Sequence, residues 1–146
     1  MIELQNLSKQ YDRFLAVDNL NLTIGDGEFF GLLGPNGAGK STTMKLLCGL
    51  LKPSEGEVIF KGKPWSRDTL NKIGVLIESP AIYGNLTAKE NMLIHACMLG
   101  VSENEITRVL KLLKIDKTGK KKVSNFSLGM KQRLGIAIAL LGNPDL

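Results

Sequence analysis

Hydrophobic and polar residues alternate along the first part of the chain. Residues 2–7 and 17–24 each show the two-residue period of a half-buried strand. Residues 57–60 repeat this pattern between two turn-forming stretches. Tight turns join these segments, so they predict an antiparallel sheet.

Two continuous apolar runs have a different pattern. They cover residues 28–33 and 72–77, and they are typical of strands buried on both faces of a parallel sheet. If the sheet lacks central strands beside these runs, we expect their apolar side chains to be exposed, with poor stability or self-association unless something covers them. The side chains concerned are Leu32, Leu33, Val75 and Ile77.

A helix is predicted after Lys40, with Met44, Leu47 and Leu51 on one face and Leu46 and Leu50 beside them. Gly49 and Pro53 mark its end, and Trp65 is expected to pack near the sheet.

Three further helices are predicted in the second half of the chain. Thr87 and Glu90 have the spacing of a capping box, for a helix that ends near Gly100. Ser102 and Glu105 predict a second capping box, for a helix that reaches about residue 114. A third helix begins at its N-cap, Ser127, and runs to about residue 141.

The segment between the first apolar run and the first helix has the spacing G-x-x-x-x-G-K-S. Its sparse side chains let backbone N–H groups surround a phosphate, and the following helix directs its positive end to the same anion. Lys40 supplies a charge for the outer phosphates, and Ser41 a hydroxyl for Mg²⁺. The alternative is a glycine-rich turn, which the flanking strand and helix disfavour. The candidate residues are Gly34, Asn36, Gly37, Ala38, Gly39, Lys40, Ser41 and Thr42.

Two other residues have a functional and a structural interpretation. Tyr11, between the first two strands, is either an aromatic packed on a strand edge or a stacking surface for a purine. Glu78 follows a predicted strand, where a carboxylate is well placed for a site, or it is a solvated loop acid.

Charge, cysteine and histidine content narrow the function classes. The net charge is +5, and lysines cluster at residues 117–122. That cluster is either a solvated loop or a contact for nucleic acid or an anionic membrane; no aromatic residues are interleaved. Cys48 and Cys97 have no metal-binding spacing and are expected to be buried and reduced, and the single His95 cannot form a metal site. With no apolar run of membrane-spanning length and no signal peptide, we expect a cytoplasmic protein.

The order of these motifs resembles the ATP-binding cassette family, the motor subunits of ABC transporters. Residues 126–133, FSLGMKQR, are similar to the family's L-S-G-G-Q signature and the Q-R that follows it. Phe126, Leu128 and Met130 depart from the signature, whereas Ser127 and Gly129 are retained. Two stretches, residues 73–83 and 126–133, are similar to the lantibiotic-immunity and bacitracin-resistance branch.

The resemblance implies an α/β fold with a P-loop NTPase-like core. The ATP-binding core with an antiparallel β subdomain would span residues 1–85, and a helical subdomain with the signature residues 86–142. The resemblance places the Walker B strand and the catalytic Glu after residue 146. We therefore expect an N-terminal fragment of a longer ATPase, incomplete at its C-terminus and inactive alone, with no catalytic residue of its own.

The resemblance also assigns ligands and partners. Tyr11 would stack on the adenine of ATP, and Glu78 would reach Mg²⁺ from the position of the family's Q-loop Gln. Ser127 and Gly129 would contact the γ-phosphate held by a second ATP-binding subunit in a head-to-tail dimer. Transmembrane permease subunits would hold the protein at the inner face of the membrane, for export of a peptide antibiotic. No nucleic-acid partner is expected.

Two alternatives remain at this point. One is a soluble ABC-type ATPase that never meets a membrane, and the other is a regulator that binds nucleotide without hydrolysing it.

Overall fold

The computed structural model describes all 146 residues, which form two compact units, residues 1–70 (unit 1) and residues 71–146 (unit 2). None of the helices combines the length and the apolar composition that crossing a bilayer requires.

Unit 1 is built around the predicted antiparallel sheet. Its strands are β1 (Ile2–Tyr11), β2 (Phe14–Ile24), β3 (Glu55–Phe60) and β4 (Lys63–Pro64), in the spatial order β2-β1-β3-β4. All neighbouring pairs are antiparallel, which confirms the predicted arrangement. The alternating apolar residues of β1 and β3 form a buried face, since Leu4, Leu7 and Val58 are almost inaccessible.

Helix α1 (Lys40–Leu47) follows the glycine-rich segment, and the short α2 (Arg67–Leu70) ends unit 1. The predicted apolar face of α1 is wrong. The helix ends before Leu50 and Leu51, Met44 is exposed and Leu47 is half-buried. The buried leucine is Leu46, which was predicted beside that face. Gly49 ends the helix as predicted, and the Trp65 ring occupies the space that a side chain at position 49 would need.

The two predicted parallel strands are absent. Residues 28–33 and 72–77 have no strand structure. Phe29 and Leu33 are almost fully exposed, whereas Val75 and Ile77 are half-buried. An apolar run supplies side chains for a buried strand, but a strand also needs a neighbour for its backbone N–H and C=O groups. Residues 72–74 have only a short pairing with the last two residues, in which the Gly74 N–H donates to Leu146 O at 2.6 Å and the Asp145 N–H donates to Lys72 O at 2.7 Å.

Unit 2 is helical. It contains α3 (Ala88–Leu99), α4 (Glu103–Leu112) and α5 (Leu128–Ala139), with 3₁₀ turns at Asp116–Thr118 and Val123–Asn125. One apolar cluster from all three helices fills its centre, including Met92, Ile106 and Leu134, each completely buried.

The predicted caps of these helices have different outcomes. The capping box of α3 is confirmed: Thr87 Oγ1 accepts from the Glu90 N–H at 3.2 Å, and Glu90 Oε2 accepts from the Thr87 N–H at 2.7 Å. The second capping box is wrong, because the Ser102 side chain makes no cap hydrogen bond. Glu105 turns instead to Arg108, whose guanidinium donates to it at 2.6 Å. A charge-assisted bond to a guanidinium is stronger than one to a backbone N–H.

The two cysteines are free thiols in different environments. Cys48 is buried as expected, and burial raises the pKa of its thiol. Cys97 is exposed, so the expectation that it is buried is wrong. Its helix buries the face that carries Met92 and Ala96, and position 97 lies off that face.

Candidate functional site

The glycine-rich segment of unit 1 is a closed loop held by its own lysine. Lys40 Nζ donates to the carbonyl oxygens of Gly34 at 2.8 Å and Pro35 at 2.6 Å. An ammonium group has three N–H donors, so one remains for a ligand. The ammonium group of Lys40 therefore lies beside Gly34 and Pro35, the first two residues of the loop.

Close approach to β2 requires glycine at position 39. Gly39 has φ of 79°, in the left-handed region, and a Cβ there would lie 2.3 Å from the carbonyl oxygen of Ala16. No side chain fits at that distance. Gly37, with φ of 85°, also adopts a left-handed conformation but faces open space. The loop is thus shaped by backbone geometry as the motif predicts.

The start of α1 leaves its N–H groups open. Gly39 is the N-cap and offers no side-chain hydrogen bond, and no acidic residue lies in the first turn. The first intrahelical bond runs from the Thr43 N–H to the Gly39 carbonyl at 2.8 Å. The N–H groups of residues 39–42 therefore have no carbonyl partner within the helix. Together with the helix dipole, they make a site for an anion.

The remaining loop residues differ in whether their polar groups are accessible to a ligand. Ala38 donates its N–H to Pro35 O at 3.3 Å, so this donor is used within the loop. Asn36 and Ser41 are exposed, and Thr42 is half-buried. The exposed Ser41 hydroxyl lies at the second helical position, where it can reach a metal ion that is bound to phosphate.

Tyr11 is the last residue of β1, next to the turn that leads into β2. It pairs with Phe14 across the hairpin, and the residue is 42% exposed. Lys9 Nζ lies 5.3 Å from the centre of the ring, within range of a cation–π contact. Sequence reasoning did not single out Lys9, although residues two apart on a strand share a face.

The other candidates belong to unit 2. Glu78 is exposed and has a left-handed backbone, with φ of 62°. Ser127 is the N-cap of α5, as predicted, and its Oγ accepts from the Met130 N–H at 3.3 Å. Its hydroxyl proton stays available for donation to an anion. Gly129 is exposed with open space around its Cα, so a ligand can approach this backbone closely.

Sequence reasoning also missed a buried polar residue, Asn91. Its Nδ2 donates to the carbonyl oxygens of Tyr83 at 3.0 Å and Thr87 at 2.9 Å, and its Oδ1 accepts from the Tyr83 N–H at 2.7 Å. These bonds fix the loop before α3. The sequence signal that could have identified Asn91 is a polar residue among the apolar positions of a predicted helix.

No group of three or more His, Cys, Asp and Glu side chains is arranged to hold a metal ion.

Comparison with known proteins places these features in a family. The ABC transporter family model matches residues 17–146. The chain is 49% identical over 146 residues to the lantibiotic transport ATP-binding protein SrtF of Streptococcus pyogenes, covering 100% of this chain and 64% of SrtF. It is 44% identical over 150 residues to the bacitracin transport ATP-binding protein BcrA of Bacillus licheniformis, covering 100% of this chain and 49% of BcrA. The chain thus spans less than two thirds of these curated relatives.

A solved structure shows the same fold. It is the dimeric post-hydrolysis state of the ATP-binding cassette MJ0796 bound to ADP and Pi, with a TM-score of 0.82 and 31% identity over 99% of this chain and 71% of that chain. These matches confirm the P-loop NTPase-like fold class and the resemblance to the lantibiotic and bacitracin branch. The chain belongs to the ABC transporter family.

Proposed function

We propose that this chain is the ATP-binding part of a transporter subunit that couples ATP binding and hydrolysis to export of a peptide antibiotic. The observation that carries the proposal is the open start of α1, where unpaired N–H groups and the Lys40 ammonium converge on one loop. The similarity to the lantibiotic and bacitracin transport proteins supports the substrate class.

In this proposal the loop binds the triphosphate. The N–H groups of residues 39–42 donate to its oxygens, and Lys40 directs its remaining N–H to the outer phosphates. Ser41 and Glu78 are the proposed Mg²⁺ ligands, and the bound ion would offset charge that develops on the phosphates. Tyr11, which is exposed at the end of β1, is proposed to stack on the adenine.

A partner subunit follows from the proposed phosphate contacts of Ser127 and Gly129. Ser127 and Gly129 are proposed to face the nucleotide of a second ATP-binding subunit in a head-to-tail dimer, and the structure of the MJ0796 cassette as a dimer supports this arrangement. Membrane permease subunits are proposed to couple the dimer to transport at the inner face of the membrane.

Lys40→Ala tests the loop directly. We expect Mg²⁺–ATP to bind the full-length protein about 10- to 100-fold more weakly, because a hydrogen bond to a charged group is lost. Titration calorimetry measures this affinity. Lys63→Ala, an exposed lysine on β4, is the control and leaves binding unchanged. Equal affinities for all three proteins would contradict the proposed phosphate site.

The transport step needs its own measurement. Cells that express the full-length protein with its permease are expected to survive a lantibiotic or bacitracin at concentrations that kill cells expressing the Lys40→Ala protein. Normal ATP binding without protection would refute the substrate class and leave the nucleotide site intact.

A further inference from the structure

The net positive charge of the chain is confined to unit 2. Residues 1–70 contain eight Lys and Arg and eight Asp and Glu, whereas residues 71–146 contain eleven and six. The net charge of +5 is therefore the charge of unit 2. Such an asymmetry indicates a partner of opposite charge.

Much of this charge lies in residues 114–122, which we call the lysine-rich loop. Asp116 is its one acidic residue. Its five lysines, all exposed, are Lys114, Lys117, Lys120, Lys121 and Lys122.

The rest of unit 2 does little to neutralise this loop. The acidic side chains of α3 and α4 form the ion pairs Glu90–Lys122 (3.4 Å), Glu103–Lys89 (2.9 Å) and Glu105–Arg108 (2.6 Å). Only the first pair involves the loop. Lys117 and Lys120 have no ion pair, and Lys121 lies over the Phe126 ring at 5.9 Å from its centre. These three charges are thus available to an external anion.

The backbone of the loop is fixed at both ends. At the first end, the Ile115 N–H donates to Leu110 O at 3.0 Å, and at the second end, the Val123 N–H donates to Leu86 O at 2.8 Å. A β-bridge joins Lys122 to Thr87. The lysines therefore project from a defined scaffold, and only their side chains lose freedom when they bind.

We propose that the lysine-rich loop binds the phosphate headgroups of an anionic membrane surface. Lysines are point charges that pair with phosphate without demanding a groove or a fixed orientation. Clusters of four to eight basic residues beside a membrane are a known basis for such contacts. Single-stranded nucleic acid is disfavoured, because it needs exposed aromatic rings for stacking and the aromatic side chain beside this loop, Phe126, is buried.

The inference rests on the proposed function only in that the function brings the chain to a membrane. Lipid binding and nucleotide binding are measured in separate experiments, so a negative result for one does not decide the other.

The test is flotation of the full-length protein with two kinds of vesicle, pure phosphatidylcholine and phosphatidylcholine with one third phosphatidylglycerol. We expect binding to the anionic vesicles only, and its loss when ionic strength rises from about 0.1 M to about 1 M, where charges are screened within about 3 Å. The variant Lys117→Gln/Lys120→Gln/Lys121→Gln is expected to bind about 10- to 100-fold more weakly.

The matched control removes three exposed lysines elsewhere, as Lys52→Gln/Lys63→Gln/Lys72→Gln. It lowers the net charge equally and is expected to keep most of the binding. Both triple variants should retain Mg²⁺–ATP affinity and the thermal unfolding of the unmodified protein.

Three outcomes would overturn the inference. Equal loss in both triple variants would mean that net charge alone drives binding. Equal binding to both vesicle types would exclude headgroup charge as the cause of membrane binding. Tighter binding to a single-stranded RNA oligonucleotide or to inorganic polyphosphate than to the anionic vesicles would assign the loop to a soluble polyanion.

Discussion

Helices α1 and α3 begin in opposite ways. In α3, Thr87 and Glu90 satisfy each other's backbone N–H groups, so the helix start is closed. In α1, the N-cap is glycine and no side chain covers the first turn. A capped start stabilises a helix by itself, whereas an uncapped start leaves donors for something else. The difference separates a structural helix start from one that is suited to bind an anion.

Helix α5 lies between these two cases. The Ser127 hydroxyl oxygen accepts one helical N–H, and its proton remains to be donated. A serine cap can thus stabilise its own helix and contact a phosphate in the proposed dimer.

The largest effect in this comparison is expected for Gly39→Ala. The added Cβ would lie 2.3 Å from Ala16 O in a left-handed backbone, so the loop must move. We expect loss of measurable Mg²⁺–ATP binding and a decrease of about 1–3 kcal/mol in the free energy of unfolding, by calorimetry and denaturant titration. Gly100→Ala is the matched control, because Gly100 has a similar φ of 67° but open space around it. If the two variants behave alike, backbone strain rather than the close contact governs the loop.

A smaller effect is expected for Thr87→Ala. It removes a cap from a helix that buries Met92 and Ala96, and the free energy of unfolding should fall by about 0.5–2 kcal/mol. Nucleotide affinity should not change. Ser102→Ala is the control, since Ser102 makes no cap bond, and it should be nearly neutral. Reduced ATP affinity in the Thr87 variant would show that a closed helix start also serves the nucleotide site.

The smallest effect concerns the pH dependence of the same cap. The Thr87 N–H, followed by the Thr87 side chain and Lys122, lowers the pKa of the Glu90 carboxyl from its usual 4.5. A lowered pKa means that the cap contributes stability above about pH 4.5 and loses it as the carboxylate protonates below that pH.

Glu90→Gln keeps an acceptor oxygen but does not titrate. Its thermal unfolding midpoint should therefore be lower than that of the unmodified protein near neutral pH and approach it in acid. A difference that stays constant with pH would mean that the charge of Glu90 does not contribute to the cap.

The sequence by itself determined the features that depend on residues close along the chain. The closed glycine-rich loop, the capping box of α3 and the Ser127 cap follow from spacing, because each is closed by residues three to eight positions apart. The antiparallel strands follow from alternation and tight turns. The order of these motifs was enough to indicate the ABC transporter family.

Tertiary structure decided the features that depend on distant neighbours. Apolar runs at 28–33 and 72–77 did not become strands, because pairing needs a backbone partner that local sequence does not specify. Cys97 lies on the exposed face of its helix, because the apolar cluster of unit 2 packs against the face that carries Met92 and Ala96. The contact of Gly39 with Ala16, 23 positions earlier in the chain, is visible only once β2 packs beside the loop. Local bonds are set by spacing, whereas burial and strand pairing are set by what the fold brings together.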